Sequence, residues 1–315
     1  MAKPMRLAQG VMSSVPVVLI DLTTEDGVTG RSYLRTYTPR ALRALTSLVE
    51  DLADVTEPPH TLKLLGTKGL VGAALAGLDM ARWDIKAQEH NVPLATLLNA
   101  QRTAVPAYVS LRARDPREAA QEAQGHREVK LKLGGRPRHE DEAAIEAVKE
   151  TGATVMGDYN QSLSVEEALT LDDLELAWIE EPTDAHDFEG HRRIADALRT
   201  PIQLGENLEG AAELKHALNA SDLLMFDAMK IGGVSGWFEA IQLTGKPISS
   251  HTFPEYSVHL LAATPNAHRL EYLDHLAPIR ATPLALEDGH VRVPDTPGVG
   301  LLWDERGIKR LAERH

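Results

Sequence analysis

A polar side chain recurs at the end of every short apolar run in the last two thirds of the chain, and this repeat constrains the fold more than any other feature. Apolar runs at 105–110, 128–133, 154–159, 176–180, 202–206, 223–228, 248–251 and 269–271 alternate with segments of helical spacing roughly ten to fifteen residues long. They carry Ser110, Lys130 with Lys132, Asp158, Glu180, Glu206, Asp227, His251 and Glu271 at or near their ends. From Lys132 onward the spacings are 26, 22, 26, 21, 24 and 20 residues, the length of a strand, a helix and two turns. Eight such units predict an α/β fold, a (β/α)8-type barrel whose strand ends converge on one face.

The chain ahead of residue 104 reads differently. Residues 15–23 are rich in β-branched side chains, Glu25-Asp26-Gly27 signals a turn, and a second strand is expected at 31–35. Helical spacing follows at 39–52, with Leu42, Leu45, Leu48 and Leu52 on one face, and again at 71–89. The expected division is a smaller α+β capping domain over 1–103, a barrel over 104–280, and a C-terminal segment over 281–315. A hairpin around Asp288-Gly289 is expected to return that last segment to the cap.

Charge and composition narrow the function. A net charge of −13 opposes binding to phosphate backbones and anionic membranes, so nucleic acid and membrane are not expected partners. With no Cys there is no thiolate metal site and no cysteine nucleophile. Aromatic residues make up 4% of the chain, so the core is expected to be aliphatic. The segment MAKPMRLAQG lacks the apolar stretch of a signal peptide, which makes a cytoplasmic location the expectation.

Asp158, Glu180 and Glu206 end three consecutive strands, where three carboxylates could not all stay ionised without a cation. Singly, each reads equally well as a helix cap or a solvated rim residue. Jointly they predict a hard, oxygen-seeking ion, Mg2+ rather than Zn2+. Lys130 and Lys132 sit two apart and share a face of one strand. Taken alone, VKLKL reads as an alternating solvated strand. At a barrel mouth, two ammoniums would depress each other's pKa and make one a usable base. Opposite them, Asp227 on the preceding strand can orient His251. Glu271 is a possible proton donor or a rim carboxylate balanced by Arg269, and Ser110 and Asn160 are hydrogen-bonding groups or helix caps. His186, His191, His259 and His268 have no comparable partner spacing. A divalent metal flanked by two bases suits removal of the weakly acidic proton next to a carboxylate, with the metal and proton donors stabilising the enediolate. Return of the proton to the opposite face would make the outcome racemisation.

These residues resemble the enolase superfamily, in its mandelate racemase subgroup. The stretches that carry the resemblance are VKLKLGG, GDYNQSL, WIEEPTDAHDFEGHRRI, QLGENLEG, DAMKIGGVSGW, SSHTFPEYSVHLLAATPNAHRLE and PDTPGVGLLW. VPVVLIDLTTEDGVTG, SYLRTYTP and AGLDMARWDIKAQ resemble the capping domain more loosely. The resemblance implies a modified TIM barrel with Asp158, Glu180 and Glu206 as Mg2+ ligands, one ion per subunit. It implies Lys132 as the base on the (S) enantiomer of an aryl 2-hydroxy acid, and His251, supported by Asp227, as the base on the (R) enantiomer. Glu271 would donate a proton to the substrate carboxylate, Lys130 and Ser110 would bind that carboxylate, and Asn160 would contact the α-hydroxyl. Homo-oligomers are common in the family. The first capping strand of the pattern is not expected in this chain, and the connections at 56–67 and 113–128 look shortened, as in a compacted relative. In the flap, Met5, Leu7, Val11 and Met12 are apolar, only Gln9, Ser13 and Ser14 offer hydrogen bonds nearby, and Tyr37 matches a second loop over the pocket. Such a wall favours an aromatic ring and a mandelate-like substrate. An acid-sugar dehydratase with the same metal and bases, or a folded barrel without turnover, are the alternatives.

Overall fold

The computed structural model describes residues 5–312 except 8, 9, 13, 56–61, 63 and 65, with backbone alone at 5–7 and 11. A short antiparallel pair, β1 (Met5–Leu7) and β2 (Gly10–Met12), precedes the expected hairpin. That hairpin joins β3 (Val17–Thr23) and β4 (Thr29–Arg35), paired from Val17↔Arg35 to Thr23↔Thr29. Alternation in β3 turns Val18 and Ile20 inward. They pack with Leu45, Val49 and Leu52 of the α1 (Pro39–Asp51) region and with the alanine-rich face of α2 (Gly69–Glu89). Small residues there allow a close approach. A Cβ at Gly77 would stand 2.7 Å from Ile20 Cδ1 and 2.9 Å from Leu34 Cδ2.

The barrel is the predicted one. Its strands are β5 (Ala104–Ser110), β6 (Glu128–Lys132), β7 (Thr154–Asp158), β8 (Ile179–Glu180), β9 (Ile202–Leu204), β10 (Leu223–Asp227), β11 (Ile248–His251) and β12 (Ala267–Tyr272). All neighbours run parallel, and β12 closes on β5 through Leu270↔Ala107, Glu271↔Tyr108 and Tyr272↔Val109. The strand expected at 202–206 stops at Leu204, so Glu206 stands two residues past it. Gly205 makes that turn with a φ of +124°, and a Cβ there would come 2.7 Å from the Met225 carbonyl oxygen. The core is aliphatic, as expected, and the few aromatic residues are not peripheral to it: Trp237, Tyr108, Tyr256, Phe226 and Phe253 are among the largest fully buried side chains. Among the described residues no helix is long and apolar enough to cross a membrane.

After the barrel, β13 (Leu286–Glu287) and β14 (His290–Arg292) form a hairpin turned by Asp288 and Gly289, both at positive φ. β14 pairs antiparallel with β5 at Ala104–Pro106, the opposite end of that strand from Ser110. The chain beyond reaches the cap, where Val299 N donates to Asp84 Oδ1 at 2.7 Å and Trp303 Nε1 to Asp21 Oδ1 at 2.7 Å.

The cap is tied to the barrel close to His251. Tyr33 of β4 stacks on Phe253 with ring centroids 4.7 Å apart, and its hydroxyl donates to Glu255 Oε2 at 2.7 Å. Glu255 lies in the first turn of the helix Pro254–Ala263. Arg280 donates to Glu255 Oε1 and, at 3.0 Å, to Asp274 Oδ2. Burial pushes the Glu255 carboxyl up, and the Arg280 charge and the Tyr33 hydrogen bond oppose it. Arg280→Met is therefore expected to leave a buried, partly unpaired carboxylate and to lower stability by ~3–5 kcal/mol. Urea denaturation checks this, and a change below ~1 kcal/mol would show that the pair contributes no more than a surface ion pair.

Candidate active site

Strand register builds the site. Ser110↔Lys130, Lys132↔Asp158, Asp158↔Glu180 and Asp227↔His251 are direct partners on adjacent strands, which sets their side chains next to one another at the ends of the barrel strands. Lys130 and Lys132 are buried, so the solvated-strand reading of VKLKL does not hold.

Lys130 Nζ lies 2.6 Å from Glu180 Oε1, 2.9 Å from Glu271 Oε1 and 3.6 Å from Asp158 Oδ2, with the Tyr108 ring centroid at 5.3 Å. Lys132 Nζ donates to Asp158 Oδ2. Asp158 Oδ1 accepts from Asn160 N at 2.8 Å, and Glu180 Oε2 accepts from Gln203 Nε2 at 3.0 Å. The expected lowering of one lysine by the other is present at Lys132, but nearby carboxylates overcome it. Burial, the largest cause, pushes the Lys132 ammonium down and Lys130 adds to that, but the Asp158, Glu271 and Glu180 carboxylates together outweigh them and the net shift is upward. Lys130 is raised further, against the effect of burial, by Glu180 and Glu271. Asp158 in turn is pulled down to about 2, the two lysine charges overcoming burial.

On the other side, His251 Nδ1 is 2.8 Å from Asp227 Oδ2. The backbone amides of Met229 and Lys230 donate to Asp227 Oδ1 at 2.8 and 3.1 Å. Burial raises the Asp227 pKa, but the bond and charge of His251 prevail and hold it below the ordinary value. Asp227 is thus a fixed carboxylate that orients the imidazole and leaves Nε2 facing Glu206 Oε2 at 3.4 Å and Glu271 Oε2 at 4.0 Å. Glu271 Oε2 also accepts from Thr252 N at 3.0 Å. Burial would push its carboxyl up, yet Lys130 and then His251 hold it well below the usual range.

Asp158, Glu180 and Glu206 each offer a carboxylate oxygen, all within 4.8 Å of one another. Glu206 Oε2 is buried and has no hydrogen-bond partner among the described residues. Three hard oxygen donors, one of them unsatisfied, fit a divalent cation such as Mg2+. Without that charge the cluster is frustrated. Burial, then Asp158 and Glu206, push the Glu180 carboxyl well up against the pull of Lys130.

Lys132, Asn160, Glu206, His251 and Glu271 line one cavity of ≈290 Å³ with Met12 and Tyr37, so these sequence-predicted residues are brought together. Ser110 is buried, its hydroxyl without a partner among the described residues, and it does not line that cavity. Of the flap, only Met12 and Ser14 have described side chains. Those of Met5, Leu7 and Val11, and residues Gln9 and Ser13, lie outside the described residues. The rest of the wall was not foreseen: Arg35, Asn207, Lys230, Thr252 and Leu273. Lys230 Nζ donates to Asn207 Oδ1 at 2.6 Å, and Asn207 Nδ2 to Glu181 Oε2 at 2.7 Å. Lys230 follows Asp227 by three residues in the loop that bonds Asp227, and nothing in the repeat marks it. Among the described residues the wall sets polar side chains beside Met12, Tyr37 and Leu273, and the flap side chains expected to make it apolar, Met12 apart, lie outside the described residues.

Comparison with known proteins shows what the chain is similar to. The family described as enolase C-terminal domain-like matches residues 114–307. The mandelate racemase / muconate lactonizing enzyme N-terminal domain matches residues 1–99. An L-talarate/galactarate dehydratase of Salmonella typhimurium is 31% identical over 339 residues, covering 97% of this chain and 85% of that protein. The crystal structure of an enolase from alpha proteobacterium bal199 with bound magnesium shares 37% identity at a TM-score of 0.93, covering 98% of this chain and 95% of the other. An enolase from Bradyrhizobium complexed with magnesium and mandelic acid shares 40% at a TM-score of 0.89, covering 98% and 94%.

Proposed function

We infer that this chain, which belongs to the enolase superfamily through both its N-terminal and its C-terminal domains, is a magnesium-dependent enzyme that removes the C2 proton of a 2-hydroxy acid. The observation that carries the reading is a single cavity lined by Lys132, His251 and Glu206, beside the other two members of a carboxylate triad. Asp158, Glu180 and Glu206 would hold Mg2+. The ion supplies positive charge against the negative charge that grows on the substrate carboxylate as the C2 proton leaves.

The chain's own residues account for the rest. Burial and the neighbouring Lys130 charge favour the neutral Lys132 amine that a base requires, and the Asp158, Glu271 and Glu180 carboxylates, two of them in the triad that would hold the ion, oppose it. Lys130 is fixed by carboxylates and stays an ammonium, suited to hold the substrate carboxylate. His251, held by Asp227, presents Nε2 as a second proton-transfer group.

Of the reactions open to such a pair, dehydration of an acid sugar suits the wall best. Arg35, Asn160, Asn207, Lys230 and Thr252 offer hydrogen bonds where a polyhydroxylated acid needs them. One base takes the C2 proton and the other group protonates the departing C3 hydroxyl, which leaves as water. The resulting enol tautomerises to a 2-keto-3-deoxy acid. Racemisation of an aryl 2-hydroxy acid is the second reading. It is favoured by the Tyr37 ring and Met12 on the same wall, and by the mandelic acid bound in the Bradyrhizobium enolase.

Incubating the Mg2+-loaded protein in D2O with galactarate, galactonate and each mandelate enantiomer separates them. A 2-keto acid, trapped with semicarbazide, is expected from an acid sugar. Racemised mandelate with no keto acid would favour the second reading, and no C2 exchange with any acid would end both.

A further inference from the structure

Gln203 is wholly buried beside the carboxylate triad, and the chemistry above makes no use of it. It is the direct partner of Glu180 across β8 and β9, and its Nε2 donates to Glu180 Oε2 at 3.0 Å. An ionised carboxylate only accepts, so the amide nitrogen has to face it. The same nitrogen lies 4.0 Å from Met225 Sδ, and Oε1 is buried with no partner among the described residues.

These surroundings are apolar. Met225 forms a small buried cluster with Tyr108, Met156 and Trp178, and the indole Nε1 of Trp178 is also without a partner among the described residues. An amide placed there with its oxygen unpaired is unfavourable. A methionine would fill the same length without that cost, as it does at 156 and 225. What offsets the cost is the bond to Glu180.

Each Glu180 oxygen has its own donor, since Lys130 Nζ stands 2.6 Å from Oε1. The carboxylate plane is therefore held from two sides by donors that differ in kind. Lys130 carries a charge that opposes a cation, and it is also the group suited to the substrate carboxylate. Gln203 is neutral and holds Glu180 without competing. Mg2+ demands near-ideal octahedral geometry, whereas Ca2+ takes more oxygens in a looser arrangement and accepts both oxygens of one carboxylate. A carboxylate with one oxygen engaged by an amide is poorly placed to offer both.

We propose that Gln203 is a positioning residue of the metal site, which fixes Glu180 as a one-oxygen ligand and so sets a preference for Mg2+ over Ca2+. This rests on the metal reading above and on neither choice of substrate.

Titration calorimetry with Mg2+ and, separately, with Ca2+ on wild type, Gln203→Met and Gln203→Asn tests it without substrate. Gln203→Met keeps the length of the side chain and removes the donor. Its Mg2+ affinity is expected to fall by about 10- to 100-fold and its Ca2+ affinity to change by less than about twofold, so the preference for Mg2+ drops at least about fivefold. Gln203→Asn, whose amide draws back by one methylene, is expected to move the ratio the same way by less. Equal losses for both ions would overturn the proposal, because a lost donor would then act on charge and not on geometry. Unchanged Mg2+ affinity in a variant whose melting temperature shows it folded would overturn it too, Gln203 then being only a filler of the barrel. Should Gln203→Met fail to fold, the ratio in Gln203→Asn decides. Wild type that binds neither ion would sink the metal reading and this proposal with it, whereas wild type that binds Mg2+ beside variants with an unmoved ratio would sink this proposal alone.

Discussion

His251→Asn is expected to abolish overall conversion while sparing exchange of the C2 proton from one face of the substrate. Asn keeps the size of the side chain near Asp227 but cannot accept and release a proton near neutrality, and loss of a general acid or base lowers rates by about 100- to 10,000-fold. Lys132 is untouched by the change. It pairs with Asp158 on the opposite side of the cavity from the Asp227–His251 couple. In D2O the variant should therefore still exchange the C2 proton of the (S)-configured acid. Lys132→Ala should show the mirror result, with exchange retained only for the (R)-configured acid. Proton NMR of each epimer with each variant is the measurement. If both variants lose exchange with both epimers equally, the assignment of one base to each face is wrong.

How far these residues could be read without coordinates depends on what kind of information they carry. Asp158, Glu180, Asp227, His251 and Glu271 were legible because a parallel barrel converts strand order into spatial neighbourhood, and each sits at the end of its strand. Glu206 was legible in role but not in place, since the spacing of the repeat says nothing of the turn at Gly205 that ends β9 early. The net direction of the lysine pKa shifts was illegible for a different reason. Sequence spacing put Lys130 beside Lys132, but the sign of the shift is set by Asp158, Glu180 and Glu271, which reach the two ammoniums from other strands.

Arg35 was illegible for a reason of local pattern. It ends β4, where the last four residues, Ser32 to Arg35, are all buried instead of alternating, because both faces of that strand end are covered by cap and barrel. Alternation is the signal by which a strand shows its buried side, and here it is lost. Lys230 and Asn207 lie in loops, which carry no period. The β1–β2 pair is too short to rise above its neighbours, and side chains at 5–7 and 11 remain outside the described residues.

The carboxylate triad carries the central claim, and Glu206 is the place to probe it. Unlike Asp158 and Glu180, which pair with lysines, its Oε2 has no hydrogen bond among the described residues, so its position follows from the strand end and the turn at Gly205. Glu206→Gln removes one charge from the three and leaves the shape nearly unchanged, so the barrel should stay folded. Loss of a metal that stabilises developing charge by several kcal/mol corresponds to a rate loss of about 1,000-fold or more. Titration calorimetry with Mg2+, run on wild type and on Glu206→Gln alongside turnover before and after exhaustive chelation, is the most direct measurement. The account predicts saturable binding of Mg2+ in wild type that weakens sharply in the variant, with turnover that vanishes on chelation and returns with Mg2+. Full turnover in the chelated protein, or unchanged Mg2+ binding in Glu206→Gln, would contradict it.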